Sequence, residues 1–407
     1  MRYSKTFGIG LGFFALSLVW AIYNTFMPLI LGDFIESNGI RGAIMGLDNL
    51  IAVILIPIIG TWSDRITTRY GQRLPFLAVG MPIAALSFIL LPFGTVSLAR
   101  LLAIDVIFLI AMTIYRAPVI SLMPDHTHPE HRSSANGIIN FMGAIGSILA
   151  LFVIGKLFDL NPHFPFIISG IILLFSFFLL FFIIDRKPAF ASKATDHQEA
   201  MGFSSLFKSY TLLGKPEHQG ALYIFIAIFF YFIGYSGVES QFSIYATEYL
   251  HITGGEASLT LGFFSLSLVV SAIPAGFIGS KFGKVRTMLT GLILLAVLFL
   301  LLIPFQSLLV IRITLLIAGF AWSLVSVPAY PLAADLGGLT KIGFFTGLYY
   351  FFSMASAVIG PPLLGFIMDL FGYPALFIAA PISLVIALYF LTFGNKKLKL
   401  ARKTSPT

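Results

Sequence analysis

Asp105 and Arg116 stand eleven residues apart within an apolar run, Leu98 to Leu122. In a helix, eleven residues are about three turns, so both side chains fall on one face, separated by roughly 16 Å at a rise of about 1.5 Å per residue. They cannot pair with each other directly. A charge in such surroundings is costly and turns toward a cavity or a partner on another element. A carboxylate there that gains and loses a proton is what ion-coupled movement of a solute requires. The competing reading is an Asp and an Arg that lock neighbouring helices together.

A second polar cluster reads Tyr231-Phe-Ile-Gly234-Tyr235-Ser-Gly237-Val-Glu239-Ser-Gln241. Two glycines can interrupt a helix beside a binding site, and Tyr235, Glu239 and Gln241 suit the hydroxyls of a sugar. Glu239 is either a second titratable group or a sugar acceptor, against the plainer reading of a wetted rim residue. Tyr23 and Asn24, in Trp20-Ala-Ile-Tyr23-Asn24-Thr-Phe-Met27-Pro28, form a polar face in an otherwise apolar segment and suit a cavity wall. Asn136 and Asn140, four apart, share a face. Asp48, Asn49 and Arg312 are further polar residues in apolar runs. For each of these alone, a hydrogen bond between helices competes with ligand contact.

The elements that carry these residues must lie in lipid. Of 407 residues, 58% are hydrophobic and 10% charged, whereas soluble domains average about 25% charged. Breaks at polar and Gly/Pro clusters leave twelve segments long enough to span a bilayer: 7–31, 42–62, 75–93, 98–122, 132–156, 165–185, 219–245, 257–280, 287–304, 306–330, 342–368 and 371–393. The first is read as a retained span and not as a cleaved leader. The expected fold is an all-α membrane protein of two pseudo-symmetric six-helix bundles, 1–188 and 219–395, joined by a cytoplasmic linker, 189–218, and followed by a basic tail, 396–407.

All but Arg41, Arg100, Lys156 and Arg312 of the 25 Lys and Arg fall on the side that holds the N-terminus. The positive-inside bias therefore puts both termini in the cytoplasm. A shift of 210 residues lays Pro118 on Pro328, Leu122 on Leu332, Asp125 on Asp335, Gly137 on Gly347, Gly155 on Gly365 and Asp159 on Asp369, a parallel repeat of six-helix units. The net charge of +8 is spread over short loops, which argues against nucleic acid, and the tail suits anionic headgroups. There is no cysteine, hence no disulfide and no thiolate chemistry. His126, His128 and His131 cluster in one loop without matching ligands elsewhere, so no metal or cofactor is expected. No nucleophile stands with a base at membrane depth, which argues against an enzyme.

The loop after the second segment reads Gly60-Thr-Trp-Ser-Asp64-Arg65-Ile-Thr-Thr-Arg69-Tyr-Gly71-Gln-Arg73-Leu-Pro75-Phe76. It resembles the loop signature of the major facilitator transporters, in the lengthened form of sucrose/proton symporters and the glycoside-pentoside-hexuronide cation symporters. Asp105, with Arg116-Ala117 eleven residues on, is similar to the fourth span of plant-type sucrose symporters. The segment around Glu239 looks like bacterial members of the group, but lacks the Asp-Thr-Asp of the plant proteins.

The resemblance implies a major facilitator fold and a monomeric, proton-coupled symporter for a disaccharide or glycoside in the plasma membrane. Asp105 and Glu239 would carry the proton, while Tyr23, Asn24, Arg116, Asn136, Asn140, Tyr235 and Gln241 would line the sugar site. Asp64, Arg65, Arg69 and Arg73 would form a conformational latch, with Lys281 and Arg286 in the equivalent loop, where Ser280 replaces the expected carboxylate. The alternatives are a sodium-coupled sugar carrier, a drug or metabolite exporter of the same fold, and a receptor that binds without transport.

Overall fold

In the computed structural model, residues 3–66, 68–186, 188–190, 219–336 and 342–404 are described. The linker positions 191–218 and the last three residues of the tail lie outside them. Among the described residues, regular structure is helical, with an isolated bridge between Thr68 and Gly71. Twelve helical stretches are long and apolar enough to cross a membrane.

In chain order the helices are α1 (Tyr3–Gly32), α2 (Asn38–Met45), α3 (Leu47–Arg65), α4 (Leu74–Leu90), α5 (Leu98–His126), α6 (Arg132–Leu149) and α7 (Phe164–Ile183). After the linker come α8 (Gln219–Ile244), α9 (Gly254–Phe282), α10 (Lys284–Leu301), α11 (Leu308–Asp335), α12 (Ile342–Phe371) and α13 (Leu376–Thr404). A π-helical turn extends α8 through Tyr249. Together α2 and α3 form one span, Asn38–Arg65.

Several helices run past the ends expected from hydropathy. The fourth span continues to His126 although Pro118 and Pro124 lie inside it, and the last continues through most of the basic tail. At two other ends a distant carboxylate supplies what the first turn lacks. Asp369 accepts from the Ser37 hydroxyl at 2.6 Å and from the backbone N–H of Asn38 at 2.8 Å and Gly39 at 3.1 Å. Asp159 accepts from the Thr253 hydroxyl at 2.7 Å and the Gly255 N–H at 2.8 Å. Orphan donors at helix starts are thereby satisfied and the positive end of the dipole is met by a negative charge. The two aspartates are the pair that the 210-residue repeat superimposes.

The chain forms two compact units. One comprises Met1–Glu36, Ile51–Ala200 and Ile252–Gly262, the other Ser37–Leu50, Met201–His251 and Phe263–Thr407. In the first, α1 packs on α6 and α7, and α4 on α5 and α7. Phe88 meets Phe108 and Phe166 there at centroid distances of 5.0 Å. In the second, α8 packs on α12 and α13, α10 on α11 and α13, and α2 on α12. Outward-facing aromatics such as Phe182, 81% exposed, and Phe277, 72% exposed, need an apolar solvent, which the bilayer supplies.

Candidate coupling and substrate site

Within the first unit, the Tyr23 hydroxyl of α1 donates to Asp105 Oδ1 of α5 at 3.0 Å, and both residues are fully buried. Trp20 lies edge-on to the Tyr23 ring, with centroids 5.5 Å apart, and Phe108 sits 5.2 Å from it. Tyr23, expected on a cavity wall, is therefore enclosed and acts as the donor to Asp105. Asn24 is half-buried beside it, and Arg116 is half-buried three turns along α5. Asn136 and Asn140 are exposed on α6, and the Asn140 amide closes on the Asn136 carbonyl at 2.8 Å.

The second unit holds a comparable arrangement. Tyr235 of α8 hydrogen-bonds Glu239 one turn on, and the charge of Asp48 acts on Glu239. Asn49 donates to Asp48 at 2.6 Å. Glu239 has exposed surface within a membrane-spanning segment. The Tyr235 ring stacks on Trp322 of α11, with centroids 4.0 Å apart and planes within 4°. Trp322 also meets Tyr231 and Phe232 edge-on at 5.7 Å. Its part was hidden in the sequence, where it is one Trp in an apolar run.

Gln241 does not line this wall. It is fully buried, and its amide donates to the backbone carbonyls of Asn38 at 3.0 Å and Pro361 at 2.9 Å. Four-residue spacing places it one turn from Gly237, whose missing side chain admits Leu364 of α12, so this face of α8 is a packing surface. Gln241, expected as a ligand contact, here binds helices together.

At the loop after α3, Arg73 is the hub. Its Nε donates to Asp125 at 2.8 Å, its Nη1 to the Ser63 hydroxyl at 2.5 Å, and its Nη2 pairs with Asp64 at 2.5 Å. Burial opposes the charge, but the Asp125 and Asp64 carboxylates outweigh it and hold the guanidinium above its ordinary pKa. Gly71 turns the loop at a φ of +91°, with the Arg186 carbonyl where a Cβ would stand. Arg65 and Arg69 are exposed, and Arg69 lies over the Tyr70 ring at 4.7 Å. Of the three loop arginines, only Arg73 enters the buried cluster.

In the equivalent loop, Gly283 has a φ of +92°. The cation that engages is Lys284, ion-paired with Asp335, whereas Lys281 and Arg286 are exposed. The latch expectation names Lys281 and Arg286, whereas the ion pair of this loop is made by Lys284. The signal was present in the repeat, since Asp125 and Asp335, the two anions, superimpose. A further cluster joins Arg41 and Tyr373 to the two oxygens of the Glu248 carboxylate.

Among the described residues, no group of three or more His, Cys, Asp or Glu could hold a metal ion. Two carboxylates beside tyrosines within membrane-spanning segments, one of them with exposed surface, are suited to exchanging an ion and holding hydroxyls. They are not suited to bond cleavage by a nucleophile and base.

The tetracycline resistance protein of class H from Pasteurella multocida is 24% identical over 277 residues, 65% of this chain and 64% of that protein. A sucrose transport protein of Arabidopsis thaliana is 27% identical over 165 residues, covering 34% of this chain and 28% of its own. The chain thus spans under two thirds of either relative. The crystal structure of a bacterial homologue of the human lysosomal transporter Spinster, inward-facing and unoccupied, superimposes with a TM-score of 0.75 at 17% identity, over 100% of this chain and 99% of that one. This likeness shows the fold. Residues 8–394 match the family model described as MFS/sugar transport protein, and the chain belongs to that family: it is a multi-pass membrane transporter of the major facilitator superfamily and not an enzyme.

Proposed function

We propose that the chain is a proton-coupled symporter for a sugar, a disaccharide or related glycoside, working by alternating access in the plasma membrane with both termini in the cytoplasm. The observation that carries this reading is the duplicated tyrosine–carboxylate pair, Tyr23–Asp105 and Tyr235–Glu239. A hydroxyl donor supports the charged carboxylate, and protonation of the acid reverses what the pair can donate. The occupancy of the proton can therefore bias which facing state is favoured. Asp105 is the coupling group, and Glu239, being exposed, is the second site. Asn24, Arg116, Asn136 and Asn140 are the sugar-contacting candidates of the first unit, and the Tyr235–Trp322 platform is that of the second. The family description and the partial match to a sucrose transport protein support the substrate class.

A second reading is an exporter. It is favoured by the longer alignment with a tetracycline resistance protein and by the aromatic surface around Trp322. Uptake of labelled sugars by proteoliposomes under an imposed proton or sodium gradient separates the readings. Proton-driven accumulation supports symport, and sodium-driven accumulation moves coupling to that ion, with Asp48 and Glu239 as its carboxylates. Tetracycline movement with no sugar uptake would favour the exporter.

A further inference from the structure

In the first unit, a cavity of about 290 Å³ has Lys5, His126, His128, His131, Asp185 and Phe190 in its wall. It lies at the ends of α1, α5 and α7, away from Asp105. Its volume is near the lower limit of small-molecule sites, about 300 Å³.

His126 shows which groups can act there. Its Nδ1 lies 2.8 Å from the Leu122 carbonyl. A carbonyl only accepts, so the proton of the neutral ring sits on Nδ1. Nε2 is buried and has no hydrogen-bond partner. A buried polar atom left unsatisfied costs about 1–3 kcal/mol, which a ligand can recover. When the ring is protonated, Nε2 becomes a donor.

Among the described residues, the charges around the cavity leave its sign to the imidazoles. Lys5 is ion-paired with Asp185, and the two offset. Glu130 lies 3.7 Å from His128, and both are exposed. Arg132 is turned to the Pro124 carbonyl at 3.2 Å, and Arg186 lies over the Tyr70 ring at 5.5 Å. Asp125 is committed to Arg73. The imidazoles of His126 and His131 remain.

We propose that this cavity binds a small oxyanion, a carboxylate or a phosphate ester, through Nε2 of protonated His126 with His131 and Lys5 beside it, and that binding takes up a proton. The wall is also tied to the latch. The Phe190 N–H donates to the Asp125 carbonyl at 3.1 Å, and His128 meets the Phe190 ring edge-on at 5.3 Å.

The test is calorimetry on the full-length protein in detergent, with sulfate as the tetrahedral probe and acetate as the carboxylate. Neither changes charge between about pH 6 and about pH 8, on the two sides of the imidazole range. Binding of at least one probe is expected, roughly tenfold or more tighter at the lower pH. Which probe binds identifies the class. H126A is expected to lose the pH dependence, and K5M and H131Q each to weaken binding severalfold at the lower pH. No heat from either probe at the lower pH would overturn the proposal. So would wild-type binding by both K5M and H131Q, which keeps the test independent of whether H126A folds.

Discussion

Arg73 and Asp125, 52 positions apart in sequence, are joined by a 2.8 Å hydrogen bond from Nε, with each side chain 5% exposed. Removing one partner of such a pair leaves an uncompensated buried charge, at a cost of about 3–5 kcal/mol. R73A is therefore expected to lower the thermal midpoint markedly, whereas R65A and R69A, altering exposed side chains, leave it nearly unchanged. Thermal unfolding of the three variants in one detergent checks this. Equal midpoints for all three would contradict the hub role of Arg73.

Asp64 occupies the outer edge of the same cluster, its side chain 41% exposed. An exposed partner contributes about 0–1 kcal/mol, so D64N is expected to remain folded. On the proposal that this loop biases facing states and is separate from the Tyr23–Asp105 pair, turnover is expected to slow while sugar affinity stays close to wild type. Affinities measured from both sides of the membrane provide the check, and a large loss from both would reject this division of roles.

Gln241 separates packing from recognition. Q241L deletes two buried donors to the Asn38 and Pro361 carbonyls, leaving acceptors unsatisfied at about 1–3 kcal/mol. The expected outcome is lower thermal stability with the sugar dissociation constant little changed. A variant of normal stability that loses sugar binding would restore Gln241 to the binding site.

How far the sequence could be read is shown by these residues. The twelve spans were legible because apolar length has one physical explanation in lipid, and Asp105 stands out in the sequence as an isolated charge within one of them. The packing role of Gln241 is not legible, because a glutamine that holds two backbone carbonyls and one that holds a sugar look alike until the neighbouring helix is in place. Lys284 was passed over for Lys281 and Arg286, since a loop with three cations does not reveal which one reaches Asp335. Trp322 and Tyr235 meet only when α8 and α11 pack, and no local period encodes that stack.

Arg116 and Arg100 lie on the same helix with opposite surroundings. Arg116 is half-buried on the Asp105 side of α5, while Arg100 is exposed near its start and can reach headgroups. R116A is expected to reduce transport by about tenfold or more, equivalent to roughly 1.4 kcal/mol, and R100A by much less at matched membrane abundance. Equal losses would remove Arg116 from the site.

Proton coupling through Asp105 is tested most directly by sugar accumulation in proteoliposomes under an imposed proton gradient, comparing wild type with D105N. The amide keeps the size of the protonated acid and can still accept from Tyr23, but it cannot bind or release a proton. Wild type is expected to accumulate sugar uphill at a rate that titrates with pH. D105N is expected to bind or exchange sugar without accumulating it, and to lose that pH dependence. Normal uphill accumulation by D105N would contradict the assignment and move the proton site to Glu239.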